Sequence, residues 1–334
     1  MTTRAHRLTT HDGLDLHVTV RGHDDAPLTV VLAHCWTADE ADWHYQVHDL
    51  LAQYGHGIRI VTWDHRGHGR SDASPAAACT IGNIADDLGR VVDAHAPTGP
   101  LVLAGHSLGG MAMTAVPAQR PDLIERVTGL LFVSTSCGRL DTVTLGFPDA
   151  VGNAARNRIP FLLAARARTL TRRQRQRIPL IERQVTRRFL FGEPKRQRDM
   201  NLYVDQLINC APDTMSGFYR DFMTHERTAG LRAYDGVPTT VLVGSRDLLT
   251  PPHHARRIAG SIRGARMLVA PDAGHMLTLE RPQLVTEELC ALVDGALASL
   301  SAAAEPAPAE PAPAGRRLAR RRASRDRQAA STLR

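Results

Sequence analysis

Residues 101–110 read Leu-Val-Leu-Ala-Gly-His-Ser-Leu-Gly-Gly, and this stretch decides the fold. Its apolar first part predicts a short buried strand, and the segment from position 108 to 119 predicts a helix. Ser107 then occupies a sharp turn between the two elements, with Gly105 and Gly109 on either side. Such a turn brings backbone segments close together and lifts the serine hydroxyl above the sheet. The stretch therefore predicts a nucleophile elbow, with Ser107 as the nucleophile.

Apolar segments on both sides of this elbow have the pattern of strands in an α/β protein. Residues 14–20 alternate apolar and polar side chains, which is typical of a half-exposed strand. Residues 28–33 form an apolar run, typical of a buried strand. Residues 58–63, 127–133, 239–243 and, more weakly, 266–269 continue this series of predicted strands. Helical patterns separate the strands, at residues 81–95, 108–119 and 282–300. This alternation predicts a mostly parallel sheet with helices on both faces.

Two further residues at predicted strand ends complete a catalytic triad in chain order. Asp247 follows the strand at 239–243, and His275 follows the strand at 266–269. A serine hydroxyl is a weak nucleophile and needs a neighbouring base, which His275 can supply. An acid such as Asp247 orients that histidine and stabilises its protonated form. The order serine, acid, histidine is the order that accompanies this kind of elbow.

Two backbone N–H groups are candidates for the oxyanion hole. Leu108 begins the helix after Ser107, so its N–H has no partner within the helix. The second donor is expected from the loop after the strand at 28–33, which reads His34-Cys35-Trp36, and we assign it to Trp36. Together they would stabilise the negative charge that develops on a substrate oxygen.

The chain divides by composition into a core, an insertion and a tail. Residues 1–137 and 236–303 hold the predicted strands and form the core. Residues 138–235 lack a clear buried strand and are helical and Arg-rich, which predicts a helical cap inserted over the site. Apolar residues within it, at positions 161–163, 180–181 and 189–190, suggest amphipathic helices over an apolar pocket, and equally fit the core of the cap itself. Residues 304–334 begin with a Pro-Ala alternation and end in a basic stretch, which predicts a linker and a disordered tail.

The net charge of +7 is unevenly distributed along the chain. Residues 156–198 contain thirteen Arg and one Lys against two Glu, a local net charge of +12, and residues 304–334 carry +5. The first segment fits a solvated helical face. A second interpretation is weak contact of cap and tail with an anionic membrane, or of the cap with an acidic substrate. The tail has no aromatic residues for base stacking, so nucleic acid is not an expected partner.

Cysteine and histidine patterns predict neither a disulfide framework nor a metal site. The five cysteines form no CxxC pair, and the sixteen histidines form no HExxH motif. A serine–histidine–aspartate mechanism needs no cofactor, so none is expected. No apolar run approaches the length of a membrane span, and residues 1–10 lack the apolar region of a signal peptide. We therefore expect a cytoplasmic protein with reduced thiols.

Four segments carry a family resemblance, namely the elbow at Ser107, the loop at residues 34–36, and the segments around Asp247 and His275. Together they resemble the α/β-hydrolase superfamily over about residues 7–300. More narrowly, they resemble its capped bacterial serine hydrolases, which include esterases, lipases and perhydrolases. Further marks of the resemblance are Asp64-His65-Arg66-Gly67-His68-Gly69-Arg70-Ser71 and Leu249-Thr250-Pro251. The resemblance implies an eight-stranded, mostly parallel α/β sheet and a serine hydrolase that cleaves an ester-like acyl bond of a small molecule through an acyl-enzyme.

Several alternatives stay open at the level of sequence. A perhydrolase or a C–C bond hydrolase can use the same triad, and a ligand-binding receptor on a hydrolase scaffold would bind without turnover. The family usually has Gly where this chain has Cys35. A residue with a Cβ at this position predicts either an ordinary backbone conformation or local strain in the oxyanion loop.

Overall fold

Eight strands form a single sheet in the computed structural model, which describes residues 2–304. The strands are β1 (Thr3–Thr9), β2 (Asp15–Gly22), β3 (Leu28–Ala33), β4 (Ile58–Trp63), β5 (Leu101–His106), β6 (Val127–Val133), β7 (Thr239–Gly244) and β8 (Arg266–Ala270). Their order across the sheet is β1-β2-β4-β3-β5-β6-β7-β8. Only β2 runs antiparallel to its neighbours β1 and β4, and all pairs from β4 to β8 are parallel. The predicted eight-stranded, mostly parallel α/β sheet is confirmed.

Helices follow most of the parallel strands. They are α1 (His44–Tyr54), α2 (Ile81–His95), α3 (Leu108–Gln119), α4 (Asp149–Thr169), α5 (Arg172–Arg177), α6 (Leu180–Val185), α7 (Gln197–Asn209), α8 (Pro212–Phe222), α9 (Pro252–Ala259), α10 (Leu277–Glu280) and α11 (Pro282–Ala304). A π-helical turn, Thr186–Leu190, continues α6. Among the described residues, no helix is both long and apolar enough to cross a bilayer.

The hydrophobic core lies on both faces of the sheet, because side chains of a buried strand alternate between its two faces. In β3, Val31 packs into the cluster that contains α2 and α3. Its neighbours Val30 and Leu32 pack into the cluster that contains α1 and α11. The sheet is thereby covered on both sides, and the carboxyl ends of the parallel strands remain free to carry loops with functional side chains.

Residues 138–235 contain five of the helices, α4 to α8. Among the described residues, the only β-pairing within the insertion is an isolated β-bridge between Gly138 and Glu226. Residues 1–298 form one compact unit that includes this insertion, so its boundaries at 138 and 235 stay a prediction. The predicted linker and tail, residues 304–334, lie outside the described residues except for Ala304.

The prediction that the apolar side chains of the insertion line a pocket is wrong for about half of them. Leu163, Phe189 and Leu190 do line a pocket beside Ser107. In contrast, Phe161, Leu162, Leu180 and Ile181 are exposed. A helical pattern identifies an apolar face but not what that face contacts, so the sequence could not separate the two groups.

Candidate active site

The strand-to-helix turn at Ser107 has the strained geometry that the sequence predicts. Ser107 has φ 50° and ψ −110°, a conformation that residues with a Cβ rarely adopt. Its backbone N–H donates to the carbonyl of Val133 on the neighbouring strand, at 2.9 Å. A Cβ on Gly109 would overlap the carbonyl oxygen of Ala33, and one on Gly105 would overlap the backbone of Gly110. The two glycines are therefore required by close approach of the backbone on both sides of the serine.

The three predicted triad residues lie in one chain of hydrogen bonds. The Oγ of Ser107 is 3.0 Å from Nε2 of His275, and Nδ1 of His275 is 2.9 Å from Oδ2 of Asp247. All three side chains are almost completely buried. Because Nδ1 faces a carboxylate, it carries the proton, and Nε2 is left as the acceptor that faces the serine hydroxyl. A proton can therefore move from Ser107 to His275.

Asp247 is held in place by further donors beside the histidine. Its Oδ1 accepts the backbone N–H groups of Leu249 and Thr250, each at 2.9 Å, and its Oδ2 accepts the Thr250 hydroxyl at 2.9 Å. Burial alone would raise the pKa of Asp247, but His275 and these donors outweigh it and hold the pKa below its ordinary range. The residue is thus a carboxylate at neutral pH and can stabilise a protonated His275.

The loop after β3 adopts an unstrained conformation at Cys35. The left-handed φ falls instead on Thr37, at 62°, and Cys35 is not among the residues with positive φ. Of the two predicted oxyanion donors, Trp36 and Leu108, neither donates its backbone N–H to another group among residues 2–304. The loop is joined to the elbow by a hydrogen bond from the N–H of Gly109 to the carbonyl of His34, at 3.1 Å.

A buried carboxylate–histidine pair, which the sequence analysis missed, lies beneath the triad. Oδ2 of Asp42 is 2.7 Å from Nδ1 of His106, and Nε2 of His106 is 2.9 Å from the backbone carbonyl of His275. Asp42 also accepts the backbone N–H of Cys35 and the hydroxyl of Thr278. The pair therefore connects the oxyanion loop to the histidine loop. The one sequence signal that could have singled out His106 is that it directly precedes Ser107.

The charge state of this pair follows from its hydrogen bonds. Burial lowers the pKa of His106, but the adjacent Asp42 carboxylate raises it by more, so the pKa lies above its ordinary value. Both ring nitrogens face acceptors, an arrangement that favours the protonated imidazolium. Cys35, Asp42 and His106 bring their potential ligand atoms within 4.8 Å of one another. A metal ion does not fit there, because both nitrogens of His106 are already bonded to Asp42 and to the carbonyl of His275, and burial raises the pKa of the Cys35 thiol.

Glu280, a second buried carboxylate that was not predicted, holds the loop that carries His275. Its two oxygens accept the backbone N–H groups of Gly192 at 2.7 Å, Gly274 at 3.0 Å and Met276 at 3.1 Å. Gly274 and Met276 are the neighbours of His275, and Gly192 belongs to the insertion. The N–H of His275 itself donates to the carbonyl of Leu190 at 2.7 Å. The insertion and the loop of His275 are thus joined directly through Leu190 and indirectly through Glu280.

A mostly apolar pocket opens beside Ser107 and His275. It encloses about 1040 Å³, including its opening to solvent, and most of its lining comes from residues 138–235. Its apolar walls include Trp36, Met111, Leu163, Phe189, Leu207 and Phe222. The few polar side chains in the wall include Thr37 and Tyr203, whose oxygens are 2.6 Å apart. Such a pocket binds an apolar group next to the serine hydroxyl.

Comparison with known proteins identifies the family and supports the fold. The model of the alpha/beta hydrolase family matches residues 30–288. One relative is the dihydrolipoyllysine-residue acetyltransferase component of the acetoin cleaving system of Pseudomonas putida, which is 26% identical over 81% of this chain. The chain spans only 64% of the length of that relative. The sn-1-specific diacylglycerol lipase ABHD11 of Mus musculus is 27% identical over 68% of this chain and 69% of its own length.

Solved structures share the same architecture. The thermophilic esterase of Thermogutta terrifontis superposes with a TM-score of 0.69 at 23% identity, over 88% of this chain and 99% of the esterase. Identity this low carries information about the fold alone. The family match covers most of the chain and includes the elbow and the loops of Asp247 and His275. The protein is an enzyme that belongs to the alpha/beta hydrolase family.

Proposed function

We propose that this enzyme is a serine hydrolase that cleaves an ester-like acyl bond through an acyl-enzyme. Ser107 is the nucleophile, His275 the general base and acid, and Asp247 the carboxylate that orients the histidine. The backbone N–H groups of Trp36 and Leu108 form the oxyanion hole. The observation that carries the proposal is the continuous hydrogen-bond chain from Ser107 Oγ to Asp247 at the edge of an apolar pocket.

The proposed reaction has two halves that use the same groups. In the first, Ser107 Oγ attacks the acyl carbon and its proton moves to Nε2 of His275, while Asp247 stabilises the imidazolium. The N–H groups of Trp36 and Leu108 bind the oxyanion. The protonated His275 then donates to the leaving alcohol as the ester bond breaks. In the second half, His275 takes a proton from a water that attacks the acyl carbon. It returns this proton to Ser107 Oγ as the bond between the acyl carbon and Oγ breaks, which releases the carboxylic acid and restores the enzyme.

The pocket supports an apolar acyl group or an apolar alcohol as part of the substrate. Its walls are aliphatic and aromatic, and the triad lies at one side of them. Desolvation of such a group favours binding by about 25 cal/mol per Å² of buried apolar surface. In this proposal residues 138–235 act as the cap, because they provide most of the walls and therefore set the length and shape of the group that binds.

The decisive experiment measures hydrolysis of p-nitrophenyl esters of increasing acyl length, with the wild type and with Ser107→Ala. We expect turnover that varies with acyl length, and loss of turnover on the order of 10³ or more in the variant, with folding intact. A fluorophosphonate probe should label Ser107 in the wild type. Ser261→Ala is a matched control, since Ser261 lies after α9 and its hydroxyl bonds only the carbonyl of Arg257 among the described residues.

Two results would contradict the proposal. The first is full activity of Ser107→Ala, or fluorophosphonate labelling at another residue, which would assign the nucleophile elsewhere. The second is a folded wild-type protein that turns over none of the esters and is not labelled. A third result would refine it, since hydrogen peroxide that competes with water for the acyl group would assign the perhydrolase variant of the same mechanism.

A further inference from the structure

The large hydrophobic side chains that face solvent are concentrated in one part of the chain. Among residues 2–304, seven are exposed, namely Val151, Phe161, Leu162, Ile178, Leu180, Ile181 and Val269. Six of the seven fall within residues 151–181, on α4, on α6 and on the residues just before α6. Single exposed apolar side chains are normal on protein surfaces, but a cluster of them marks a surface that contacts something apolar.

On α4, apolar and cationic residues share one stripe that points away from the pocket. Val151, Arg158 and Leu162 are spaced by seven and four residues, which places them within about 40° of one another around a helix. All three are exposed. The neighbouring Leu163 is buried and lines the pocket beside Ser107. One face of α4 therefore borders the pocket, and another presents leucine, valine and arginine to solvent.

The second group of exposed apolar residues lies beside α4. Residues 178–181 read Ile-Pro-Leu-Ile, and Ile178, Leu180 and Ile181 are 60%, 64% and 47% exposed. Arg166 of α4 donates to the carbonyl of Ile178 at 3.0 Å and to the carboxylate of Glu182 at 3.0 Å. These two bonds hold residues 178–181, which we call the apolar turn, against the helix that carries Leu162. The apolar turn and the exposed stripe of α4 therefore belong to one surface. We call it the outer cap surface, comprising the exposed residues of 151–183.

Cations without acidic partners surround these apolar side chains. Within the described chain, five exposed arginines of the outer cap surface form no ion pair, namely Arg158, Arg172, Arg173, Arg177 and Arg183. Glu182, the one acidic residue between them, is buried and bonded to Arg166. Arg177 and Arg183 flank the apolar turn on its two sides. The surface thus combines apolar side chains with an excess of positive charge.

We propose that the outer cap surface docks on a bilayer that contains anionic phospholipids. An interfacial protein surface of this kind buries its apolar side chains at the level of the lipid headgroups, and its arginines bind lipid phosphates. The exposed apolar turn supplies the side chains that enter the headgroup level, and the unpaired arginines supply the groups that bind phosphate. A second copy of this chain fits the surface less well, because pairing would bring two sets of unpaired arginines together. The proposal does not depend on the reaction assigned to Ser107.

Vesicle cosedimentation of the full chain tests the proposal. The vesicles consist of phosphatidylcholine alone, or of phosphatidylcholine mixed with phosphatidylglycerol. We expect binding to the mixed vesicles at low salt and weaker binding at about 1 M salt, where the Debye length is roughly 3 Å. Ser107→Ala should bind as the wild type does, which separates this test from that of the hydrolase mechanism.

Two sets of substitutions assign the binding to the outer cap surface. Ile178→Ser with Leu180→Ser and Ile181→Ser removes the apolar turn, and Arg172→Gln with Arg173→Gln and Arg177→Gln removes three charges. The arginine set should weaken binding about tenfold or more, since each cation near an anionic surface contributes up to a factor of about five. The serine set should weaken it about tenfold or more as well, since burial of three large apolar side chains no longer favours the bound state. The matched controls are Val269→Ser for the first set, and Arg232→Gln with Arg256→Gln and Arg263→Gln for the second. These control arginines are exposed, lie outside residues 151–183 and form no ion pair among residues 2–304.

Each other outcome overturns the proposal. If both cap sets bind mixed vesicles as the wild type does, basic residues elsewhere, including those of 304–334, are responsible. If the wild type ignores mixed vesicles at low salt, the surface has another partner. Size-exclusion chromatography that shows a dimer, lost in the Ile178, Leu180 and Ile181 variant, would identify the surface as an interface between copies. Circular dichroism of each variant checks that it is folded before it is scored.

Discussion

Replacement of Glu280 by glutamine tests whether this carboxylate positions His275. The carboxylate is almost completely buried and accepts three backbone N–H groups, from Gly192, Gly274 and Met276. Glutamine has the same shape but only one acceptor oxygen, and its amide group is a donor. In one orientation of the amide, the N–H of Gly192 loses its acceptor and faces another donor. In the other orientation, the N–H of Met276 faces the donor and keeps only its longer contact to the carbonyl of Leu190, at 3.3 Å.

The magnitude follows from this count of bonds. A hydrogen bond to a charged group contributes about 1.5–3 kcal/mol, and a buried donor left without a partner costs about 1–3 kcal/mol. Some of this loss is offset, because burial raises the pKa of Glu280 and the neutral amide is easier to bury. We expect the free energy of unfolding to fall by roughly 2–4 kcal/mol. The turnover number should fall about tenfold or more, because small displacements of a catalytic base are costly.

Urea unfolding and steady-state hydrolysis of a p-nitrophenyl ester measure the two effects. A positioning role predicts a lower kcat and slower labelling of Ser107 by a fluorophosphonate. KM should change with them, because the same carboxylate also holds Gly192, close to Leu190 of the pocket wall. Glu287→Gln is the matched control, because Glu287 is an exposed carboxylate near the start of α11, the helix that follows Glu280. If Glu280→Gln loses stability but keeps the wild-type kcat and labelling rate, Glu280 is structural and the positioning argument fails.

Three further predictions concern the triad, the buried pair and the pocket. Asp247→Asn should lower kcat by about 10⁴ with KM near normal, because the amide favours the wrong tautomer of the histidine; an unchanged kcat would assign the orienting carboxylate elsewhere. Asp42→Asn should lower the free energy of unfolding most below pH 6.5, the ordinary pKa of His106. The loss relative to wild type should shrink as pH rises through the raised pKa of folded His106. If urea unfolding shows the same loss from pH 6 to about 9, His106 is not an imidazolium. Leu163→Ala should shift the preferred p-nitrophenyl ester toward a longer acyl chain, at a cost of about 2–5 kcal/mol in stability; an unchanged chain-length profile would place the acyl group in another part of the pocket.

The sequence predicted the elements whose burial is continuous and missed those whose contacts are mixed. β3, β4, β6 and β7 are mostly apolar and almost entirely buried, and the structure has them at the predicted positions within one residue. The edge strand β1 reads Thr-Arg-Ala-His-Arg-Leu-Thr and pairs only with β2, so it needs no apolar pattern. The helix α1 was missed because its buried face includes the polar Gln46, which donates to the carbonyls of Thr278 and Pro282.

The candidate site divides in the same way. Ser107, Asp247 and His275 each follow a strand at a characteristic position, so local pattern and chain order are enough to single them out. Asp42 and Glu280 follow no such pattern. Asp42 bonds with Thr278, which lies 236 positions away, and Glu280 bonds with Gly192, 88 positions away. Only the folded chain reveals which buried carboxylates face which backbone donors, so these residues could not be predicted from one sequence.

Glu280 couples residues 190–192 of the insertion to the loop that carries His275. Glu280 binds Gly192 of the cap and Gly274 of the histidine loop with one carboxylate, and the N–H of His275 donates to Leu190, which also lines the pocket. A movement of residues 190–192 would therefore change the position of the base and the shape of the pocket together. Substitutions in this segment should alter kcat and KM jointly, whereas substitutions in walls farther along the cap, such as Leu163, should act mainly on KM and on chain-length preference.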